Sequence, residues 1–146
     1  MRTVKIVTTC ICFALLLMNT QCDEDNTIDS PCDQIAIIDN AFYQSAESDE
    51  FSVVDVVIND NCLSIDISAS GCDGNTWSMV LVDSGDIAES SPPQRFLKLV
   101  FTNDEDCLAV IGQERSFDLS PLQTNDENEV ILHIEGFTES ITYTYN

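Results

Sequence analysis

The sequence predicts an all-β chain whose body is a single antiparallel β-sandwich, immunoglobulin-like in general architecture, with a small β-barrel as the alternative. Three observations carry this. Apolar and polar residues alternate with period two through most of the region after Phe51, the mark of half-buried strands. Turn residues interrupt the alternation roughly every 8–12 residues, as in a sandwich of about seven to nine short strands. Helical periodicity is nearly absent, and only Asp39 to Ser48 reads as a short helix.

The strands follow in order. Phe51 to Ile58 is a valine-rich strand closed by the turn cluster Asn59-Asp60-Asn61. Leu63, Ile65, Ile67 and Ala69 then alternate with Ser64, Asp66, Ser68 and Ser70, so one face turns inward. Gly71-Cys72-Asp73-Gly74-Asn75 supplies the next turn, and Trp77 to Val82 the next strand. A longer loop carrying Ser90-Ser91-Pro92-Pro93 precedes the strand Phe96 to Phe101. Two shorter strands, Leu108 to Ile111 and Glu114 to Leu119, are expected around Gly112. Val130, Leu132 and Ile134 form a last strand, and after Gly136 the chain returns through Ile141, Tyr143 and Tyr145 as a hairpin.

Ahead of this body lie two short segments. Met1-Arg2-Thr3-Val4-Lys5 is basic, Ile6 to Met18 is apolar, and Asn19-Thr20-Gln21 leads to Cys22. That sequence of regions is the shape of a secretory signal. The apolar run falls short of the roughly 20 residues that span a bilayer. Residues 1–21 are therefore expected to be a signal peptide, residues 22–31 an acidic tether and residues 32–146 the sandwich. All 26 acidic residues follow Cys22, with only Arg95, Lys98 and Arg115 as basic ones, so the mature part carries 3 − 26 = −23. A surface of that charge repels nucleic acid phosphates and anionic headgroups, which excludes nucleic acid as a partner. The acidic residues are interleaved with apolar ones, which argues for a folded chain.

The seven cysteines sort by position. Cys10 and Cys12 belong to the signal, and Cys22 is the candidate anchor. Cys32, Cys62, Cys72 and Cys107 are an even set in an exported chain and are expected to form disulfides. Cys62 and Cys72 flank one strand and sit roughly 30 Å apart at about 3.3 Å per residue, whereas a disulfide needs Cα atoms within about 7 Å. That excludes Cys62–Cys72 and with it Cys32–Cys107. Successive strands alternate in direction, which brings Cys72 and Cys107 to one end of the body and Cys32 and Cys62 to the other. The expected pairs are Cys32–Cys62 and Cys72–Cys107.

The segment Leu15-Leu16-Leu17-Met18-Asn19-Thr20-Gln21-Cys22, followed by Asp23-Glu24-Asp25, resembles the amino terminus of lipoproteins of the Bacteroidetes bacteria. In the body, Gly71-Cys72, Cys107, Phe117-Asp118-Leu119 and Tyr143-Thr144-Tyr145 resemble small uncharacterised lipoproteins of that group. The resemblance implies lipidation of Cys22 after signal cleavage, attachment to the outer membrane through that lipid, and exposure at the cell surface through the acidic stretch that follows. It implies no activity.

Candidate chemistry is sparse. Val80-Leu81-Val82-Asp83-Ser84-Gly85 resembles the active-site loop of retroviral-type aspartic proteases, and Ala109-Val110-Ile111-Gly112 resembles the apolar-glycine segment that follows it there. Such an aspartate shares a proton with a second one and activates water. The spacing between the two segments is about half of what the pattern wants, and Asp-Ser-Gly is also an ordinary strand-ending turn. His133, the single histidine, lies in mid-strand, where neither a Ser-His-Asp nor a Cys-His set can form once the cysteines are paired. Asp104-Glu105-Asp106 and Asp126-Glu127-Asn128-Glu129 offer oxygens for calcium but lack a calcium-loop spacing. No metal and no cofactor is expected. Phe42, Tyr43 and Trp77 are the candidate ligand contacts, with Trp77 also a natural core residue. Together these readings describe a non-enzymatic, lipid-anchored envelope protein acting as a binding or structural module for a protein or glycan. A carbohydrate-binding accessory is the alternative, and a hydrolase using Asp83 is the remote one.

Overall fold

The computed structural model describes residues 30–125 and 127–146. The signal segment, Cys22 and most of the tether lie outside the described residues, as does Asp126. The elements are β1 (Gln34–Ile35), β2 (Ile37–Ile38), α1 (Asn40–Ser45), β3 (Ser52–Asn59), β4 (Cys62–Gly71), β5 (Ser78–Ala88), β6 (Gln94–Thr102), β7 (Ala109–Asp118), a 3-10 turn at Ser120–Leu122, β8 (Glu129–Ile134) and β9 (Ser140–Thr144).

They form an all-β sandwich of two sheets, one ordered β1-β7-β4-β3 and the other β2-β5-β6-β8-β9. The sheets are open, so the barrel alternative falls. They are also mixed rather than purely antiparallel: β1 runs parallel to β7, β2 to β5, and β6 to β8. Side-chain alternation reports which face of a strand is buried and says nothing of a neighbour's direction. A parallel pair needs a long connection, and the return from β6 through β7 and the 3-10 turn to β8 supplies one. β1 and β2 are one short segment that crosses from the first sheet to the second at Ala36, which is buried.

Leu63, Ile65, Ile67 and Ala69 of β4 face inward, as their alternation predicts, onto Met79, Leu81, Leu97, Leu99, Phe101, Leu132 and Tyr143 of the other sheet. Each such side chain contributes roughly 1.5–3 kcal/mol when fully buried. The two expected short strands around Gly112 are one continuous strand, β7, paired with β4 along its whole length from Gly71↔Ala109 to Cys62↔Asp118. That pairing places Cys72 beside Cys107 and Cys62 near Cys32. The structure joins Cys72 to Cys107 with Cα atoms 4.9 Å apart and Cys32 to Cys62 with Cα atoms 5.6 Å apart. Beyond β1 the side chain of Asp33 extends the cover of the β7 edge, its Oδ2 accepting from Ser116 N at 2.9 Å and Oγ at 2.8 Å.

The short helix forms where the sequence suggests. Asp39 caps it, Oδ1 accepting from Phe42 N at 2.9 Å. It packs on β5, and its last carbonyl end is held by Lys98, whose Nζ donates to Ala46 O at 2.8 Å.

Candidate functional site

The Asp-Ser-Gly segment is not a strand-ending turn. β5 continues through it to Ala88, and the ladder with β6 passes from Asp83↔Leu97 to Ile87↔Arg95, so Ser84, Gly85 and Asp86 bulge opposite Phe96. Gly85 takes φ 78°, a conformation that favours glycine. The bulge lets β5 keep Asp83 on its inner face, and Arg95 of β6 reaches it there. Arg95 Nη1 donates to Asp83 Oδ1 at 3.0 Å, with the side chains 7% and 0% exposed. Gly85 N donates to the same oxygen at 2.7 Å. Burial pushes the Asp83 carboxyl up, while the Gly85 amide and the Arg95 guanidinium oppose that rise. Asp83 Oδ2 has no hydrogen-bond partner among the described residues.

A protease-type aspartate needs a second carboxylate and a water within reach of substrate. Here the partner is a guanidinium, and both groups are sealed in the end of the core. His133 stands elsewhere, stacked on Phe96 with ring centroids 5.4 Å apart and Nε2 2.7 Å from Gln94 Oε1.

Trp77 belongs to the core. It is 6% exposed, meets Phe101 edge-on at 5.0 Å between centroids, and lies against the backbone of Gly71 and Gly74. Its indole faces inward, so of the two roles the sequence allowed Trp77 has the core one and is not a ligand contact. Phe42 and Tyr43 on α1 are half-buried. Lys98 Nζ sits 6.0 Å from the Tyr43 ring centroid. Burial and the negative charges of Glu135 and Asp83 push the Tyr43 phenol up.

The acidic turn at Asp104-Glu105-Asp106 serves the fold. Glu105 Oε2 accepts from the backbone N–H groups of Cys72, Asp73 and Gly74, an anion nest filled by the chain's own carboxylate. Desolvation of that carboxyl acts to raise its pKa, but the three amides outweigh it and hold it below the ordinary value. Among the described residues no group of three or more His, Cys, Asp or Glu is placed to hold a metal ion. The second acidic stretch includes Asp126 and so lies partly outside the described residues.

Among the described residues an open groove of about 710 Å³ lies between the start of β3 and the β8–β9 turn. Phe51 and Phe137, both half-buried and packed on the core, form its apolar part. Asp49, Glu50, Lys98 and Glu135 supply its charged groups. Phe51 meets Phe101 edge-on at 5.7 Å, which fixes one wall. The groove joins segments far apart in the chain, and no local pattern in the sequence marks it. Arg95 left no such mark either, since an arginine at the start of a strand is ordinarily exposed.

No family model matches the sequence, and no curated protein matches it. Solved structures do resemble the fold. One is a protein of unknown function, DUF1344, from Bacteroides vulgatus, with a TM-score of 0.54 and 14% identity over 77% of this chain and 57% of that one. Another is a NigD-like immunity protein from Bacteroides caccae, with a TM-score of 0.58 and 10% identity over 77% of this chain and 64% of that one. The chain thus spans less than two thirds of either protein, and at these identities the likeness is one of fold.

Proposed function

We propose that the protein is a non-enzymatic binding module of the bacterial cell envelope, held to the outer membrane by a lipid on Cys22. One observation carries the binding reading: the groove between β3 and the β8–β9 turn, where two half-buried phenylalanines sit beside charged side chains. The buried Asp83, the side chain with the most catalytic-looking sequence context, is tied to Arg95 instead of facing that groove. Export is supported by the apolar leader and by two disulfides, which persist in oxidising compartments. The Bacteroides source of both fold neighbours agrees with the lipoprotein resemblance of the amino terminus. Mass spectrometry of the mature amino terminus with proteolysis of intact cells tests the anchoring. A diacylated or triacylated Cys22 and loss of the protein to external protease are expected. An unmodified amino terminus, or full protection, overturns it.

A glycan is the second reading of the partner. Phe51 and Phe137 favour it, since aromatic side chains beside carboxylates suit a sugar ring and its hydroxyls.

A further inference from the structure

We propose that the groove is a docking surface for a cationic polypeptide segment, with Phe51 and Phe137 as its apolar floor and Glu50 and Glu135 as its charged rim. The proposal rests on the binding-module reading and assigns the chemistry of the partner. Charge complementarity carries it. The mature part holds 26 acidic residues against three basic ones, and all three basic side chains are at least half-buried, Lys98 alone of them lining the groove. Arg95 is buried on Asp83. Lys98 Nζ is taken up by the Ala46 carbonyl and lies near the Tyr43 ring. Arg115 is half-buried and sits on the inward face of β7, opposite Ile65.

Within the groove, Asp49 Oδ2 is already committed to Asn103 N at 2.7 Å. Glu50 and Glu135 are exposed, and the sole ion pair among the described residues is Arg95–Asp83. The rim therefore presents Glu50 and Glu135 without an ion-pair partner among the described residues, in a groove whose three carboxylates outnumber the single Lys98 ammonium, beside aromatic faces that favour cations and the alkyl stems of lysine and arginine. A neutral sugar would leave those charges uncompensated, and an isolated metal ion would leave the floor unused. One wall is the first part of β3, an edge strand of its sheet. Its free backbone groups can pair with an extended chain. A groove of 710 Å³ is of a size to hold a few side chains of such a segment.

The test uses the full mature chain in neutral detergent, with fluorescent octalysine, octaglutamate and cellohexaose as probes at about 150 mM salt, where distant charges are screened. Octalysine is expected to bind and octaglutamate not to. Glu50→Gln with Glu135→Gln should weaken octalysine binding by roughly ten-fold, the scale for close charge pairs at an interface. Asp55→Asn with Glu114→Gln removes the same charge from the outer face of the first sheet and should change it by less than about two-fold. Urea midpoints no lower than that of the unsubstituted protein establish that all variants are folded. Equal losses in the two double variants, or no octalysine binding, overturn the proposal. Cellohexaose binding that Phe137→Ala abolishes, without octalysine binding, overturns it while leaving the binding-module reading in place.

Discussion

Asp83→Asn is the most informative single change, because it separates a structural aspartate from a catalytic one. Asp83 is fully buried and Arg95 is 5% exposed, and their 3.0 Å contact is the only strong neutralisation either group has. Asparagine keeps the shape, and its oxygen can still accept from Gly85 N, but the Arg95 guanidinium is left charged and unpaired in the core. Breaking a buried pair by removing one partner costs about 3–5 kcal/mol. Arg95→Met should cost a similar amount for the opposite reason, since it strands the carboxylate. The double substitution removes both charges and should recover much of the loss, so the two effects are strongly non-additive. Urea unfolding of the oxidised protein reads this directly, with Trp77 as the sole tryptophan and a buried one. A loss below about 1 kcal/mol for Asp83→Asn, or additive losses in the double variant, would refute a buried, mutually dependent pair. Hydrolytic activity that disappears in a fully stable Asp83→Asn variant would revive the protease reading.

Three further outcomes are expected. Replacing both cysteines of either disulfide by serine should lower stability by about 2–4 kcal/mol in urea, since each closes a loop of some thirty residues, with sequence separations of 30 and 35. Asp118 sets an acid limit. Desolvation acts to raise its pKa, but Ser120 Oγ and N at 2.6 and 2.9 Å and Ser30 Oγ at 3.0 Å outweigh it and hold the carboxyl below its ordinary 3.8. Its folded-state pKa is depressed, so its contribution is present above pH 3.8 and is lost as pH falls toward the folded value; Asp118→Asn should flatten that part of a stability-against-pH curve. Finally, Asp55, Asp66 and Glu114 stand opposite one another across β3, β4 and β7. Asp66→Asn should therefore stabilise by roughly 0.2–1 kcal/mol, and thermal melts in about 1 M salt should shrink the gain.

The alternation in β4 was legible because Leu63, Ile65, Ile67 and Ala69 each meet the core and the serines and aspartate between them do not. The disulfide pairing was legible even though the sheet order was not. Alternation from β4 through β7 brings Cys72 and Cys107 to one end and leaves Cys32 for Cys62, whereas the route of Cys32 to that end, through β1 lying beside the last residues of β7, is not given by alternation. Other features left no distinct trace. Asp-Ser-Gly reads alike as a turn or a bulge, and only the register of β6 opposite it decides. β1 and β2, two residues each, are too short to carry a period. The groove needs Phe51 and Phe137, which are ordinary strand-edge residues until the two sheets bring them together.

The geometry also relates the two halves of the proposed function. The chain enters the sandwich at Cys32, pinned to Cys62 at the start of β4. Phe51 leads into Ser52, which pairs with Ser68 near the other end of β4, so the floor of the groove begins toward the Cys72 end. Ten residues of β4 separate those ends, about 33 Å at 3.3 Å per residue. A lipid on Cys22 followed by nine tether residues, at most about 30 Å when extended, would hold the Cys32 end toward the bilayer and turn the groove away from it. Acidic residues in the tether and across the domain repel anionic headgroups, which favours that upright placement over one lying flat. On the proposed function, a lipid anchor, a charged spacer and a groove at the far end would be parts of one arrangement, in which the binding surface would stand clear of the membrane.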